Sequence, residues 1–475
     1  MEQLSGLDAA FVHQDSRRTP MHICAVLVYD VGENGRHALT LDSLKKLVSQ
    51  RLAPFPLFHR KLRRVAMGMD TPYWIDIAEP DWNRHISESS LPGDGDWEAL
   101  QSYLAQLHGS RMDLTQPLWE MHLVHDLSGI LGLPPHGQAL ALKIHHAAID
   151  GISMAGIINA LHQTPDDSPR GKKNPVEAPG QFELWTRAQI NSVSRQFKLA
   201  ETMSNLVPGF LRARKTRQKF SDLPPIHGSR AYFNVRVRQG RSTGAVLMPR
   251  SEILAIKRAV RRVTLNDIAM ACVAGGLREY LILHKKLPTK SLAAGVPINL
   301  RGPADDQSGG NKIATMAVGL ATHVADPVER LRLVHRYAVA GKKQIDALGS
   351  GTVMDISDSL TPAILAEGIR TMAWASQLAE IPVPFHTMIS NVPGPQEVMQ
   401  LGDAELLVPL GLGPVRDNMG LFHIVSSAAQ RMSLSFSACA TLLPDAALYE
   451  ECLARSFAEL AREAARTDAL SPGPR

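Results

Sequence analysis

An α/β fold in two domains is predicted by three observations. The chain has 475 residues, strand-like apolar runs alternate with amphipathic helical patterns in both halves, and a Pro-, Asp-, Ser-, Lys- and Gly-rich break lies at 163–180. A single hydrophobic core does not fill that length, so domains of roughly 200 residues are expected. The break places a first domain at 1–163, a linker with a basic helical segment at 164–230, and a second domain at 231–475.

In the first domain, 21–29 reads as a strand, 41–52 as an amphipathic helix after a Thr40 cap, and 97–108 as another helix. Two apolar strands follow at 121–127 and 139–145, separated by a turn-rich stretch. Beyond the break, 181–207 reads as helical, and 211–220 carries Arg212, Arg214, Lys215, Arg217 and Lys219. That run is either a solvated basic face or a contact for phosphate or a membrane surface. The second domain opens with a strand at 245–248, a helix from Ser251 to about 260, and a longer helix capped by Thr264 and running to 283. Strands at 294–298 and 314–320, a helix at 327–348 and a mostly helical stretch to 380 come next. A strand ending at 387–390 leads into the rigid turn Asn391-Val392-Pro393-Gly394-Pro395, then strands near 421–427 and 432–438, and a helix at 446–465.

Composition narrows the function classes. Hydrophobic residues make up 44% and charged residues 20%, the balance of a folded globular protein. A net charge of +5 favours anionic partners such as phosphorylated cofactors or acidic lipid surfaces. Nucleic acid is not expected, because no helix-turn-helix, zinc-finger spacing or aromatic RNA-binding motif is present. Cys24, Cys272, Cys439 and Cys452 are scattered without a CxxC pair, which suits a reducing cytoplasm. The N-terminus lacks a signal-peptide pattern, and no apolar stretch is long enough to span a bilayer.

Chemistry concentrates in His145-His146-Ala147-Ala148-Ile149-Asp150-Gly151, where a buried strand gives way to a helix. An imidazole four positions before a carboxylate is the pairing of a general base with its organiser. A metal site is not expected, since no HExxH or Cys-rich partner accompanies the pair. No GxSxG elbow supplies a nucleophile for an acyl-enzyme intermediate.

With this motif in place, the chain resembles the bacterial wax ester synthase/acyl-CoA:diacylglycerol acyltransferase family. The likeness spans almost the whole length. Its pieces are Leu4-Ser5-Gly6-Leu7-Asp8-Ala9-Ala10-Phe11, Thr19-Pro20-Met21-His22, Pro117-Leu118-Trp119-Glu120 and the histidine motif. They continue with Thr264-Leu265-Asn266-Asp267, Val296-Pro297-Ile298-Asn299-Leu300-Arg301, Gly310-Asn311, and the segment from Ser390 to Pro395. The resemblance implies the coenzyme A-dependent acyltransferase superfamily: two chloramphenicol acetyltransferase-like α/β sandwich domains with the active site in a tunnel at their interface. One departure falls after Phe233-Asn234, where a Gly-Pro-Ile-Ser-like segment is replaced by Val235-Arg236-Val237-Arg238.

The implied activity is transfer of a long-chain acyl group from acyl-CoA to diacylglycerol or a long-chain alcohol, with His146 as general base. His145 then shapes the pocket or contacts the acceptor. Asp150 holds the loop through an ion pair, with Arg301 its partner by analogy with the superfamily, or caps the helix that follows Gly151. Asn266, Asp267, Ser390 and Asn391 either position substrates and stabilise an oxyanion or serve as cap and turn residues. No permanently bound cofactor is expected, acyl-CoA being a co-substrate, and a peripheral membrane or lipid-droplet surface is a further expected partner. Competing readings are a condensation-type or polyketide-associated acyltransferase fed by a carrier protein, and a non-catalytic lipid-binding protein.

Overall fold

The computed structural model describes residues 2–52, 54–66, 70–149, 154–163, 180, 182–191, 230–299, 313–348, 367–368, 371, 374, 383–395 and 397–470. Asp150, Gly151 and Arg301 lie outside the described residues, as do the basic run at 211–220 and most of the helical stretches expected at 181–207 and 349–380.

Three sheets organise the described residues. A small one joins β1 (Glu2–Gln3), β3 (Arg60–Arg63) and β4 (Tyr73–Asp76). The first large sheet takes β2 (His22–Asp30), β5 (Ile86–Ser90), β6 (Trp119–Leu127) and β7 (Gly137–His145) from the N-terminal half. The second contains β8 (Arg241–Pro249), β9 (Ala293–Asn299), β10 (Ile313–Gly319), β11 (Thr387–Val392), β14 (Leu421–Ser427) and β15 (Arg431–Cys439). The first large sheet is completed by β12 (Gln400–Leu401) and β13 (Ala404–Leu412), giving the order β12-β13-β2-β7-β6-β5. Sheet membership thus departs from the expected division at 231 in one place: 400–412 belongs with the N-terminal strands.

Helices pack on these sheets. The N-terminal half carries α1 (Gly6–Gln14), α2 (Leu41–Arg51), α3 (Trp82–His85), α4 (Trp97–Gly109) and α5 (Met154–His162). After α6 (182–191), the C-terminal half adds α7 (Arg250–Ala259), α8 (Leu265–Leu283), α9 (Pro327–Leu348) and α10 (Ala446–Leu470). The expected caps at Thr40 and Thr264 both close capping boxes, with Ser43 and Asp267 as the reciprocal partners. The cap expected at Ser251 does not form; α7 begins at Arg250 with Pro249 ahead of it, where proline's fixed φ suits helix entry.

Strand β13 joins the two halves. It pairs antiparallel with β2 from Glu405↔Asp30 to Leu412↔Cys24, with an irregularity between Leu406 and Val408. On its other side β12 reaches only Ala404 and Glu405, so the rest of that edge needs other partners. Alternate serines of β15 supply them, because residues two apart share one face of a strand. Ser433 donates to the Pro409 carbonyl, Ser435 accepts from the Gly411 N–H at 2.9 Å, and Ser437 donates to the Gly413 carbonyl at 2.7 Å. The approach is close enough that a Cβ on Gly411 would sit 2.5 Å from Ile424 on β14.

Further ties cross the same boundary. Arg18 forms a bidentate ion pair with Asp417, and the Val237 N–H donates to Asp417 at 3.0 Å. The segment in which this chain departs from its resemblance therefore takes part in the contact between halves. Nearby, Trp97 and Gln101 of α4 donate to Glu450 of α10 at 2.9 and 2.8 Å. Replacing Ser435 by Ala leaves the buried Gly411 N–H without its acceptor. The expected loss is about 1–3 kcal/mol in urea unfolding; an unchanged midpoint would show that the ladder does not hold the edge.

Candidate active site

Strand β7 is buried along its whole length and lies between β2 and β6. Its last residue, His145, pairs in register with His22, and its N–H donates to the Leu118 carbonyl at 3.0 Å. The next N–H, that of His146, donates to the Met21 carbonyl at 2.8 Å. Both neighbouring strands therefore grip the chain where it turns into the 3-10 segment His146–Ala148.

The two rings meet different surroundings. His145 is fully buried; its Nδ1 accepts from the Ala147 N–H at 3.2 Å, which assigns the ring proton to Nε2. Nε2 faces Asp15 at 4.0 Å. Asp15 in turn accepts from the Met21 N–H at 3.0 Å and from the Arg111 guanidinium. Burial, with His146, Arg111 and Arg64 adding their charges, lowers the His145 pKa to about 3, so the ring stays neutral.

His146 is half-buried and stacks on Phe11 of α1, ring centroids 4.0 Å apart at 24°. Its Nδ1 is buried and has no hydrogen-bond partner among the described residues. Burial, reinforced by the charge of Arg416, lowers its pKa to about 4. At neutral pH the ring is therefore in the form that accepts a proton.

A second buried polar group supports the same strand. Lys143, two residues before His145, is inaccessible, and its Nζ donates to Ser110 at 2.8 Å and Glu120 at 3.1 Å. Burial opposes ionisation of Glu120, but His122 and Lys143 together hold its pKa below the ordinary value. Across the sheet, His22 donates to the His108 carbonyl and His108 donates to the Gly413 carbonyl, each at 2.9 Å. The end of β13 is thus tied through His108 of α4 to β2, the neighbour of the histidine strand.

Two openings adjoin this framework. A narrow apolar crevice runs between Ile23, Cys24 and Ala25 of β2, Met154 and Ile158 of α5, the turn 392–395, and Pro409 to Gly411 of β13. Gly394 is required in that turn, since a Cβ there would fall 1.7 Å from the Ser427 carbonyl oxygen. A cleft of about 600 Å³ opens between the halves and is lined by Arg17, Gln106, Ser110, Arg111, Gln239 and Arg241.

The other sequence-derived candidates sit apart. Asp267 is buried in the α8 cap, bonded to Thr264 at 2.8 Å and to His335 at 2.9 Å; Asn266 beside it is exposed. Ser390 and Asn391 lie in the β11–β14 ladder, opposite Ile424 and Val425, with Asn391 exposed. Among the described residues no hydrogen bond joins these groups to the histidine pair. Asp15, Arg111 and the Lys143–Glu120 pair escaped sequence reasoning. A lysine inside the apolar run Ala139–Ile144 was the readable signal, because such a charge demands a partner.

The histidine motif at the end of a central strand is set in a two-domain α/β fold of the kind seen in acyltransferases and condensation domains. The chain matches the wax ester synthase/diacylglycerol acyltransferase catalytic domain over residues 4–269 and the C-terminal domain of the same family over 309–461. It belongs to that family and is an acyltransferase. A putative diacylglycerol O-acyltransferase of Mycobacterium bovis is 28% identical over 456 residues, covering 94% of this chain and 95% of its own. A second, from Mycobacterium tuberculosis, is 28% identical over 468 residues, covering 97% and 99%. Among solved structures, a wax ester synthase/diacylglycerol acyltransferase from Marinobacter aquaeolei aligns with a TM-score of 0.64 at 22% identity, covering 98% of this chain and 100% of that one. The starter condensation domain of rhizomide synthetase, solved with C8-CoA, aligns at 0.53 and 13% identity over 98% and 95%. The shared fold is the expected one.

Replacing Glu120 by Ala leaves the Lys143 ammonium buried with Ser110 alone. A loss of about 3 kcal/mol is expected in chemical denaturation, and a Glu120→Ala protein of wild-type stability would show that the pair is not needed.

Proposed function

We propose that the protein transfers a long-chain acyl group from acyl-CoA to the hydroxyl of diacylglycerol or a long-chain alcohol, with His146 as general base. The observation that carries this reading is the state of His146: a neutral, half-buried residue at the end of β7 whose Nδ1 has no hydrogen-bond partner among the described residues, beside His145, whose Nδ1 is engaged by the Ala147 N–H.

In the proposed step the acceptor hydroxyl gives its proton to the His146 imidazole while its oxygen attacks the thioester carbonyl carbon. The tetrahedral intermediate collapses with cleavage of the carbon–sulfur bond. The departing thiolate takes the proton back from the imidazolium, so ester and free coenzyme A leave with atoms and charge balanced. A positioned base of this kind typically contributes about 10²- to 10⁴-fold. His145 serves as a positioning residue, fixed by Ala147 and Asp15. Asp150 is assigned the role of holding the loop on its spacing from His146.

The surroundings support the substrate class. The apolar crevice suits hydrocarbon, each buried methylene contributing about 0.8 kcal/mol. The arginine-lined cleft between the halves suits the phosphorylated end of coenzyme A. The family and the names of its relatives favour lipid acceptors.

The test is an assay with labelled acyl-CoA, offering diacylglycerol and long-chain alcohol side by side. His146→Ala is expected to lower kcat at least 100-fold while the fold is kept; near-normal turnover would overturn the base assignment. Acyl-carrier protein as the better donor would favour the condensation-type alternative. The pH profile supplies a second check. A base with pKa near 4 is already deprotonated above that value, so kcat/KM is expected to stay level through 6.5, where an ordinary imidazole titrates. An acid limb centred at 6.5 would contradict a desolvated His146.

A further inference from the structure

A groove of about 590 Å³ lies on the C-terminal half, between the α7–α8 connection and α9. Arg261, Arg262, Arg332, Arg336 and Lys343 line it, with Glu329 as the carboxylate in its wall. On α9 the positions 332, 336, 339 and 343 follow helical spacing, so these side chains share one face. All four are exposed there, as are Arg261 and Arg262 on the facing connection. None of the ion pairs among the described residues engages Arg261, Arg262, Arg332 or Arg336, although other surface arginines, such as Arg455 and Arg466, have carboxylate partners.

Such an arrangement opposes folding when empty. Like charges four residues apart destabilise a helix, and two more arginines converge on the same stripe. Arg262 also adopts a left-handed backbone, with φ 73°, which is uncommon for any residue that carries a Cβ. The nearby carboxylate of Asp267 is taken up by His335 of the wall and by the Thr264 cap. A bound polyanion would relieve the repulsion.

We propose that this groove binds a ligand carrying more than one phosphate group. Arginine favours phosphate because its planar fork matches two phosphate oxygens. From 332 to 343 the cations extend along about 16 Å of helix, more than one phosphate covers. Exposed Val339 lies between them, giving the stripe an apolar contact beside its charges. Two sources share this chemistry: the headgroups of an anionic phospholipid surface and a soluble nucleotide bisphosphate, bound here in addition to the coenzyme end assigned to the cleft between the halves. Neither depends on the roles assigned to the histidine pair.

The full chain is tested by two direct binding measurements, neither requiring turnover. One is co-sedimentation with vesicles of phosphatidylcholine, with and without phosphatidylglycerol; the other is calorimetry with adenosine 3′,5′-bisphosphate. The Arg332→Gln/Arg336→Gln variant is expected to weaken one of these at least tenfold, and the affected ligand identifies the source. Binding should also fall with added salt. Lys45→Gln/Lys46→Gln, which removes the same charge elsewhere, is expected to keep wild-type binding. Circular dichroism and a thermal melt establish that the arginine variant is folded, and Arg261→Gln/Arg262→Gln provides an independent second variant. The proposal is overturned if the wild type binds neither ligand, or if both arginine variants bind as the wild type does.

Discussion

The architecture depends on how one strand edge is satisfied. Strand β13 leaves the C-terminal half to lie beside β2, and its outer side would present unpaired peptide groups inside the protein. Three serines from the second large sheet, at 433, 435 and 437, meet those groups directly. The two large sheets are thus joined by side-chain-to-backbone bonds where regular ladder pairing stops. Because Pro409 to Gly411 also wall the apolar crevice, and Gly413 receives His108, the junction sets both the shape of the opening and its distance from the histidine strand.

Two adjacent histidines acquire unlike properties from that setting. A strand end turns successive side chains in different directions, and here one ring enters a polar pocket while the other stacks on Phe11. Burial keeps both neutral, yet His145 accepts from the Ala147 N–H through Nδ1 whereas His146 Nδ1 has no partner among the described residues. Lys143 on the same strand donates to Glu120 and Ser110. Two neutral imidazoles and a hydrogen-bonded lysine share one buried strand because each meets different local partners.

Much of this was legible in the sequence. Periodicity located β2, β6, β7 and the long helices, and capping residues marked Thr40 and Thr264. Strand β13 was not found, since Pro409 and Gly411 are signals against a strand interior and the run lacks clean alternation. The alternation of Ser433, Ser435 and Ser437 with Met432, Leu434 and Phe436 did identify β15. Its serine side is buried against β13, since polar periodicity does not distinguish water from a neighbouring backbone. In the site, the histidine motif was readable from local spacing, whereas Asp15 and Arg111 come together only through tertiary structure. Asn266 and Asp267 show the converse: a short motif suggestive of chemistry is met, for Asp267, by a cap and a histidine contact.

The placement of β13 also constrains how the protein is made. Strand β2 acquires its neighbour only after residue 412 has been synthesised, more than 370 residues after β2 itself. Until then the N-terminal sheet has an open hydrogen-bonding edge beside an apolar core, a state prone to pairing with other chains. Expression of the N-terminal half alone would retain that edge permanently. The ribosome-bound chain faces the same hazard until β13 has emerged and paired with β2.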